Sequence, residues 1–66
     1  MRKYFMQLPQ NERNALKRTV SKYFKGSVLD ISTVNMRKIR KKHNVSTMAI
    51  HHAANRVILG MFPPSG

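Results

Sequence analysis

The 66-residue chain contains no cysteine and no tryptophan, and it has very few acidic residues. Without cysteine it can form neither disulfides nor thiolate metal sites, so its stability has to come from helix packing, a dimer interface or a bound partner. The absence of cysteine is consistent with a reducing cytoplasm. No apolar run approaches the roughly 20 residues of a membrane span, and the N-terminal segment lacks the apolar stretch of a signal peptide. We therefore expect one small cytoplasmic domain with no membrane partner.

Positive charge dominates the chain. Glu12 and Asp30 are the only acidic residues, against 13 lysines and arginines, which gives a formal net charge of +11. Such a balance is typical of proteins that bind a polyanion, whether DNA, RNA or an anionic membrane surface. The cations are interleaved with apolar residues at helical spacing, so the chain does not have the pattern of a disordered basic tail.

The scarcity of acids also argues against catalysis. Glu12 and Asp30 are far apart in sequence, and each has an ordinary explanation near a helix start. No nucleophile–base arrangement and no glycine-rich phosphate loop is visible. His43, His51 and His52 do not form a zinc set, because adjacent helical residues point about 100° apart and no cysteine or nearby acid completes four ligands. We expect no enzymatic activity, no cofactor, no metal and no small-molecule substrate.

The sequence of the N-terminal half predicts an arm followed by a helix. Residues 1–8 form the arm, and Pro9 suits the first helical position, where an N–H has no intrahelical partner. Apolar residues then recur in four-residue steps to about Lys25, and Gly26 is a good left-handed stop. Residues 26–33 are compatible with either an extra helical turn or a plain loop. The stripe predicted for this helix consists of three pairs, Ala15 with Leu16, Val20 with Thr19, and Tyr23 with Phe24.

Two more helices are predicted in the C-terminal half. One runs from about Thr33 to His43, after a cap at Asp30 or Ser32, and the other runs from a cap at Ser46 or Thr47 to about Leu59, with Gly60 ending it. Asn44 tolerates the positive φ that a tight turn between them requires. Residues 9–60 would then form the domain and residues 61–66 a non-helical tail. The residues predicted to face inward are Val34, Met36, Ile39, Ile50, Ala53, Ala54, Val57, Ile58 and Met61.

The segment Ile39-Arg40-Lys41-Lys42-His43-Asn44-Val45-Ser46 resembles the core of many bacterial helix-turn-helix proteins. There it reads Ile-Ala-x-x-Leu-Gly-Val-Ser, and an apolar residue follows at the position of Ile50. Residues 8–13, Leu-Pro-Gln-Asn-Glu-Arg, are similar to the start of the first helix in sigma-factor region four and in response-regulator output domains. The likeness spans residues 8–59 and is strongest over 39–50. Arg40 departs from it where a small residue is usual, and His43 where an apolar one is usual.

This resemblance implies an all-α domain of three or four helices with a helix-turn-helix core. It also implies sequence-specific binding of double-stranded DNA, with the last helix in the major groove. A small transcriptional regulator of phage or mobile-element type is expected, acting as a homodimer or with a protein such as RNA polymerase. It would be associated with the nucleoid, in the host cytoplasm if the protein is viral. The residues expected to contact bases are Ser46, Thr47, Met48, His51, His52 and Asn55. Those expected to contact phosphates are Arg37, Lys38, Lys41, Lys42 and Arg56.

Other interpretations of the same residues stay open. The cations of residues 37–42 are also compatible with a solvated helix face. A basic RNA-binding or ribosome-associated protein would use the same lysines and arginines, and a helix-turn-helix adaptor would bind a protein instead of DNA. Stacking on single-stranded bases is an alternative to a core role for the aromatic residues Tyr4, Phe5, Tyr23, Phe24 and Phe62.

Overall fold

The computed structural model describes the backbone of residues 2–61 and the side chains of residues 2–60. Its elements are a 3-10 helix (Phe5–Gln7), α1 (Gln10–Ser21), β1 (Phe24–Lys25), β2 (Val28–Leu29), α2 (Thr33–His43) and α3 (Thr47–Met61). The described part of the chain is mostly helical, as predicted, but it also contains a two-stranded antiparallel sheet. Apart from the backbone of Met61, the predicted tail of residues 61–66 lies outside the described residues.

The sheet occupies a segment that was predicted to be partly helical. α1 ends at Ser21 instead of Lys25, and residues 24–25 pair with residues 28–29. Gly26 has a φ of +62° and opens the two-residue turn between the strands. A positive φ at the first central residue alone is the pattern of a type II′ turn, which suits the twist of a hairpin. Gly26 therefore has the predicted left-handed conformation, but inside a hairpin and not at a helix end.

Neither an extra helical turn nor a plain loop describes residues 26–33, so both expectations for this segment were wrong. Phe24 and Leu29 lie opposite each other in the hairpin, and both are half-buried against the core. The Asp30 N–H donates to the Tyr23 carbonyl at 2.8 Å and continues the pairing beyond the strands. The dipeptide Gly-Ser between two strand-forming pairs is a hairpin signal that the helical interpretation overlooked.

The limits of α2 agree with the prediction. Ser32 caps its N-terminus, since the Ser32 hydroxyl accepts the Asn35 N–H at 3.1 Å. Asn44 ends it with φ 53° and ψ 51°, the left-handed conformation that was predicted for this residue. An asparagine enters this region at a lower cost than most residues with a side chain. Both ends of α2 are therefore explained by residues that adjoin it in sequence.

α3 is longer than predicted. Ser46 caps it by accepting the Ala49 N–H at 3.2 Å, and the helix continues through Gly60 to Met61 instead of ending near Leu59. Over the described residues, no helix is both long and apolar enough to cross a membrane.

The core lies where α1, α3 and the N-terminal arm meet. Leu16, Val20, Val45 and Ile50 are the largest fully buried side chains. The small residues Ala49, Ala53 and Ala54 on α3 are also buried, and alanines at such positions allow α1 to approach closely. Phe5 and Leu8 of the arm complete this core together with Ile39 of α2. Of the other residues predicted to face inward on α3, Val57 and Ile58 are half-buried, and the side chain of Met61 lies outside the described residues.

The inner face of α2 differs from the predicted one. Ile39 is buried and Met36 is half-buried, as expected, but Val34 is 60% exposed. Arg40 and His43 are half-buried on the same face as Met36 and Ile39. The two positions that depart from the helix-turn-helix pattern are therefore positions at which α2 meets the rest of the domain.

Candidate functional site

The N-terminal arm is hydrogen-bonded to the turn between α2 and α3. Lys3 and Val45 form an isolated parallel β-bridge. The Lys3 N–H donates to the Asn44 carbonyl at 3.2 Å, and the Lys3 carbonyl accepts the Ser46 N–H at 2.9 Å. The arm therefore holds the turn in place and leads directly onto the surface of α3.

The carbonyl of Arg40 accepts three donors at the C-terminal end of α2. They are the backbone N–H groups of Asn44 and Val45 and the guanidinium Nη1 of Arg2, which lies at 2.5 Å. The C-terminal end of a helix carries a partial negative charge, so a cation is favourable there. Arg2 thus anchors the start of the arm and adds a positive charge to the surface of α2.

One face of α3 is exposed and carries three of the residues predicted to contact bases. Met48 is 66% exposed, and His51 and Asn55 are exposed as well. Their helical spacing of i, i+3 and i+7 places them on one face. Together with Tyr4 and Met6 of the arm they line an open cavity of about 440 Å³. Tyr4 and Met6 are 59% and 62% exposed.

The other three residues predicted to contact bases have structural contacts of their own. The hydroxyl of Ser46 accepts the Ala49 N–H and so caps α3. Thr47 is half-buried. The ring of His52 is half-buried against the ring of Phe5, with centroids 4.6 Å apart and planes tilted by 35°. His52 therefore helps to hold the arm against α3, although it also lines the cavity beside Met48.

Three of the predicted phosphate-contacting residues lie together on α2. Arg37, Lys38 and Lys41 are exposed, and with Arg2 and Arg40 they line a cavity of about 310 Å³. No acidic side chain of the described residues lines this cavity. The structure thus brings the arm and α2 together in one basic surface.

The other two predicted phosphate-contacting residues lie elsewhere. Arg56 on α3 lines a separate cavity of about 210 Å³, together with Arg13 and Lys17 of α1. Lys42 is exposed near the end of α2 and lines neither basic cavity. The five residues predicted as one set are therefore distributed over three places on the surface.

Neither of the two acidic side chains neutralises these cations. Asp30 lies 3.2 Å from Lys25 in an exposed ion pair on the hairpin. Glu12 is exposed on α1 and lines none of the three cavities described here. Because the sequence has no other Asp or Glu, no acidic side chain lines any of these three cavities.

His43 connects α2 to α1. Its Nε2 atom lies 3.1 Å from the Thr19 hydroxyl, which in turn donates to the Ala15 carbonyl at 3.1 Å. Since a hydroxyl has one hydrogen to donate, this arrangement makes His43 Nε2–H the donor to Thr19. Burial lowers the pKa of His43, and Lys42 lowers it further, while Glu12 acts in the opposite direction. The neutral ring is therefore the form that suits this packing.

The structure offers no candidate metal centre within residues 2–60, where no three of the His, Asp and Glu side chains come together. Comparison of the chain with protein-family models, with curated proteins and with solved structures finds no match. Function has to be argued from the geometry and charge of the surfaces described above.

Several residues of these surfaces were not predicted from the sequence. Arg13 and Lys17 stand four residues apart on α1 with no acid at helical spacing from either, and this was a usable signal, since such like-charge pairs destabilise a helix. Arg40 forms a like-charge pair with Arg37 at i,i+3, but it stands at an inner position of α2. Arg2 gave no comparable signal, because it lies in an arm without periodicity.

Proposed function

We propose that the protein binds double-stranded DNA with sequence selectivity, through a helix-turn-helix unit made of α2, the turn at Asn44 and α3. The observation that carries this proposal is the exposed face of α3. Met48, His51 and Asn55 stand on that face, and the arm connects it to a basic cavity without acidic side chains.

The exposed residues of α3 have the chemistry that reads base edges in a major groove. An asparagine amide can bond bidentately to the N6 and N7 atoms of adenine, which is the role we assign to Asn55. The Met48 side chain is apolar and suits the methyl group of thymine. The His51 ring can donate to or accept from a base edge according to its tautomer. Sequence selectivity would then depend on a few side chains of one helix face.

The basic surface of α2 and the arm would supply affinity and register. Arg37, Lys38 and Lys41 are exposed beside Arg2, so they are accessible to backbone phosphates. Each neutralised phosphate releases condensed counterions, so binding should weaken steeply with added salt. Phosphate contacts place the protein on the duplex but carry no direct sequence information.

Ser46, Thr47 and His52 have a supporting role in this proposal. The Ser46 cap fixes the first turn of α3, and the contact of His52 with Phe5 holds the arm beside it. Such contacts keep the reading face in one orientation, which lowers the entropy that would be lost on binding.

A single unit of this kind covers only a short half-site. We therefore propose a small transcriptional regulator that acts as a homodimer or next to a protein such as RNA polymerase. The proposal includes no catalytic step and no cofactor.

Selection of binding sites from a pool of random duplexes tests the reading function. The wild-type protein is expected to enrich one sequence and to prefer that duplex to structured RNA at equal salt. Asn55→Ala is expected to relax selectivity at one base pair by about 10- to 100-fold, the range for one bidentate pair of hydrogen bonds to a base. Failure to enrich any duplex, or stronger binding to structured RNA, would contradict the proposal.

The matched control is Asn11→Ala. Asn11 is also exposed, but it lies on α1 and lines none of the three cavities. It should retain the selectivity of the wild-type protein. Equal loss of selectivity in the two variants would show that Asn55 does not read a base.

A further inference from the structure

A second basic cavity lies between α1 and α3, outside the helix-turn-helix unit. It has a volume of about 210 Å³ and is lined by Phe5, Met6, Gln10, Arg13, Lys17 and Arg56. Its cations come from two helices that are distant in sequence but packed together in the core. No acidic side chain of the described residues lines it, and Glu12, the neighbour of Arg13 in sequence, is exposed and not among its lining residues.

The guanidinium of Arg13 is poorly satisfied within the protein. Its Nε atom is buried and has no hydrogen-bond partner among the described residues. Its Nη1 atom reaches the Met6 sulfur at 4.0 Å, and sulfur is a weak acceptor. The weak sulfur contact leaves the Nη donors of Arg13 able to take an anionic acceptor from the cavity in its place.

The chemistry of this cavity suits a phosphate oxygen. Guanidinium groups present planar forked donors that match phosphate geometry, and a lysine adds a flexible point charge. Phe5 and Met6 line this cavity and also the one beside Met48, His51 and Asn55. An anion bound here would therefore lie next to the exposed face of α3.

We propose that Arg13, Lys17 and Arg56 bind a backbone phosphate of nucleic acid, so that α1 contributes a second contact with the polymer. This inference rests on the proposed function for the identity of the polymer as duplex DNA. It adds to that function a contact that carries no sequence information and that does not depend on α2.

The test compares two double variants that remove the same charge from neighbouring positions. Arg13→Gln/Lys17→Gln removes the α1 side of the cavity. Arg18→Gln/Lys22→Gln removes two exposed cations, also four residues apart, that line none of the three cavities. Affinity for a mixed-sequence duplex is measured over a salt series for each variant and for the wild-type protein.

The slope of log K against log salt is expected to fall in magnitude by about 1 for each phosphate that the protein no longer neutralises, so by about 1 to 2 in Arg13→Gln/Lys17→Gln. The slope of Arg18→Gln/Lys22→Gln should stay at the wild-type value. An equal change in both variants would overturn the proposal, because it would mean that only net charge matters.

Arg13 is half-buried, so circular dichroism is used to check that its variant folds. Arg56→Gln provides an independent measurement, because Arg56 is exposed and lies on the other helix of the cavity. It should lower the slope by about 1. An unchanged slope in Arg56→Gln, like an equal change in the two double variants, would count against the site.

The duplex of mixed sequence separates this inference from the proposed reading function. If no sequence is enriched but Arg13→Gln/Lys17→Gln still lowers the slope, the phosphate site is supported and sequence reading is wrong. If a sequence is enriched but the two double variants behave alike, sequence reading is supported and the site is wrong. If the wild-type protein binds no duplex, both are wrong.

Discussion

Lys3 and Val45 pair as a parallel β-bridge, so the N-terminal arm is hydrogen-bonded to the turn that joins α2 to α3. Val45 is fully buried, while Lys3 is exposed. The bridge therefore joins the core to the surface at the turn between the two helices. The relative placement of α2 and α3 depends in part on residues that belong to neither helix.

The bridge predicts a difference between two substitutions of Lys3. Lys3→Pro removes the N–H that donates to the Asn44 carbonyl and should lower the free energy of unfolding by about 1 kcal/mol, the usual net value of one hydrogen bond. Lys3→Ala keeps both backbone hydrogen bonds and should change the free energy of unfolding little. Amide hydrogen exchange of Ser46, whose N–H donates to the Lys3 carbonyl, is the local measurement. Equal protection of Ser46 in the two variants would show that the bridge does not hold the arm.

Substitution of a buried leucine and of an exposed leucine should change the free energy of unfolding by very different amounts. Leu16 is fully buried, whereas Leu59 is 58% exposed. Leu16→Ala should lower the free energy of unfolding by about 2–5 kcal/mol, which is comparable to the whole stability expected of so small a domain. Leu59→Ala should change it by less than about 0.5 kcal/mol. Urea unfolding followed by circular dichroism measures both. A similar destabilisation in the two variants would mean that Leu16 is not a core residue.

Substitution of Gly26 and of Gly60 by alanine should change the stability of the protein in opposite directions. Neither position would bring an added Cβ within 4 Å of another group, but Gly26 has a φ of +62°. Gly26→Ala should therefore destabilise the hairpin by about 1–2 kcal/mol through backbone strain alone. Gly60→Ala should raise the free energy of unfolding by up to about 1 kcal/mol, since alanine favours a helix. Thermal unfolding distinguishes the two, and destabilisation by both would contradict the helical assignment of Gly60.

The lowered pKa of His43 leads us to expect a stability that depends on pH. Burial, with Lys42, lowers its pKa in the folded state below the ordinary histidine value of 6.5, while Glu12 opposes this. The unfolded chain then binds the proton more tightly than the folded protein does. The stabilisation is complete above about pH 6.5 and is lost as the pH falls through the lowered pKa.

Urea unfolding at a series of pH values measures this effect. His43→Gln keeps a donor for the Thr19 hydroxyl but does not titrate, so the loss of stability on acidification should become smaller. His51→Gln, which replaces an exposed histidine of α3, is the control and should keep the wild-type dependence. If His43→Gln follows the wild-type curve, another group is responsible.

The limits of α2 and the turn after it could be predicted because their causes are local. Ser32 accepts an N–H three residues later, and Asn44 enters the left-handed region at low cost. The Ser46 cap follows the same chemistry. In each case the interacting groups are separated by a few residues, so the sequence contains all the information needed.

The hairpin could not be separated from a longer helix by apolar spacing alone. Tyr23 and Phe24 continue the helical stripe of α1, and the same residues are half-buried against the core when the helix stops at Ser21. What decides between the two is the pairing of Phe24 with Leu29 and their common packing, which involve residues on both sides of Gly26. The exposure of Val34 could not be predicted from apolar spacing either, because it depends on which face of α2 meets α1 and α3.

The sequence by itself determined the excess of positive charge, most helix limits and the left-handed turn at Asn44, because composition and short-range hydrogen bonding need no knowledge of packing. The tertiary structure alone decided which cations share a cavity. Arg2 joins α2 through the Arg40 carbonyl, and Arg13 meets Arg56 because α1 packs on α3. Such groupings arise when the core brings distant segments together. The spacing of residues along the chain does not directly encode the distances between side chains of different segments.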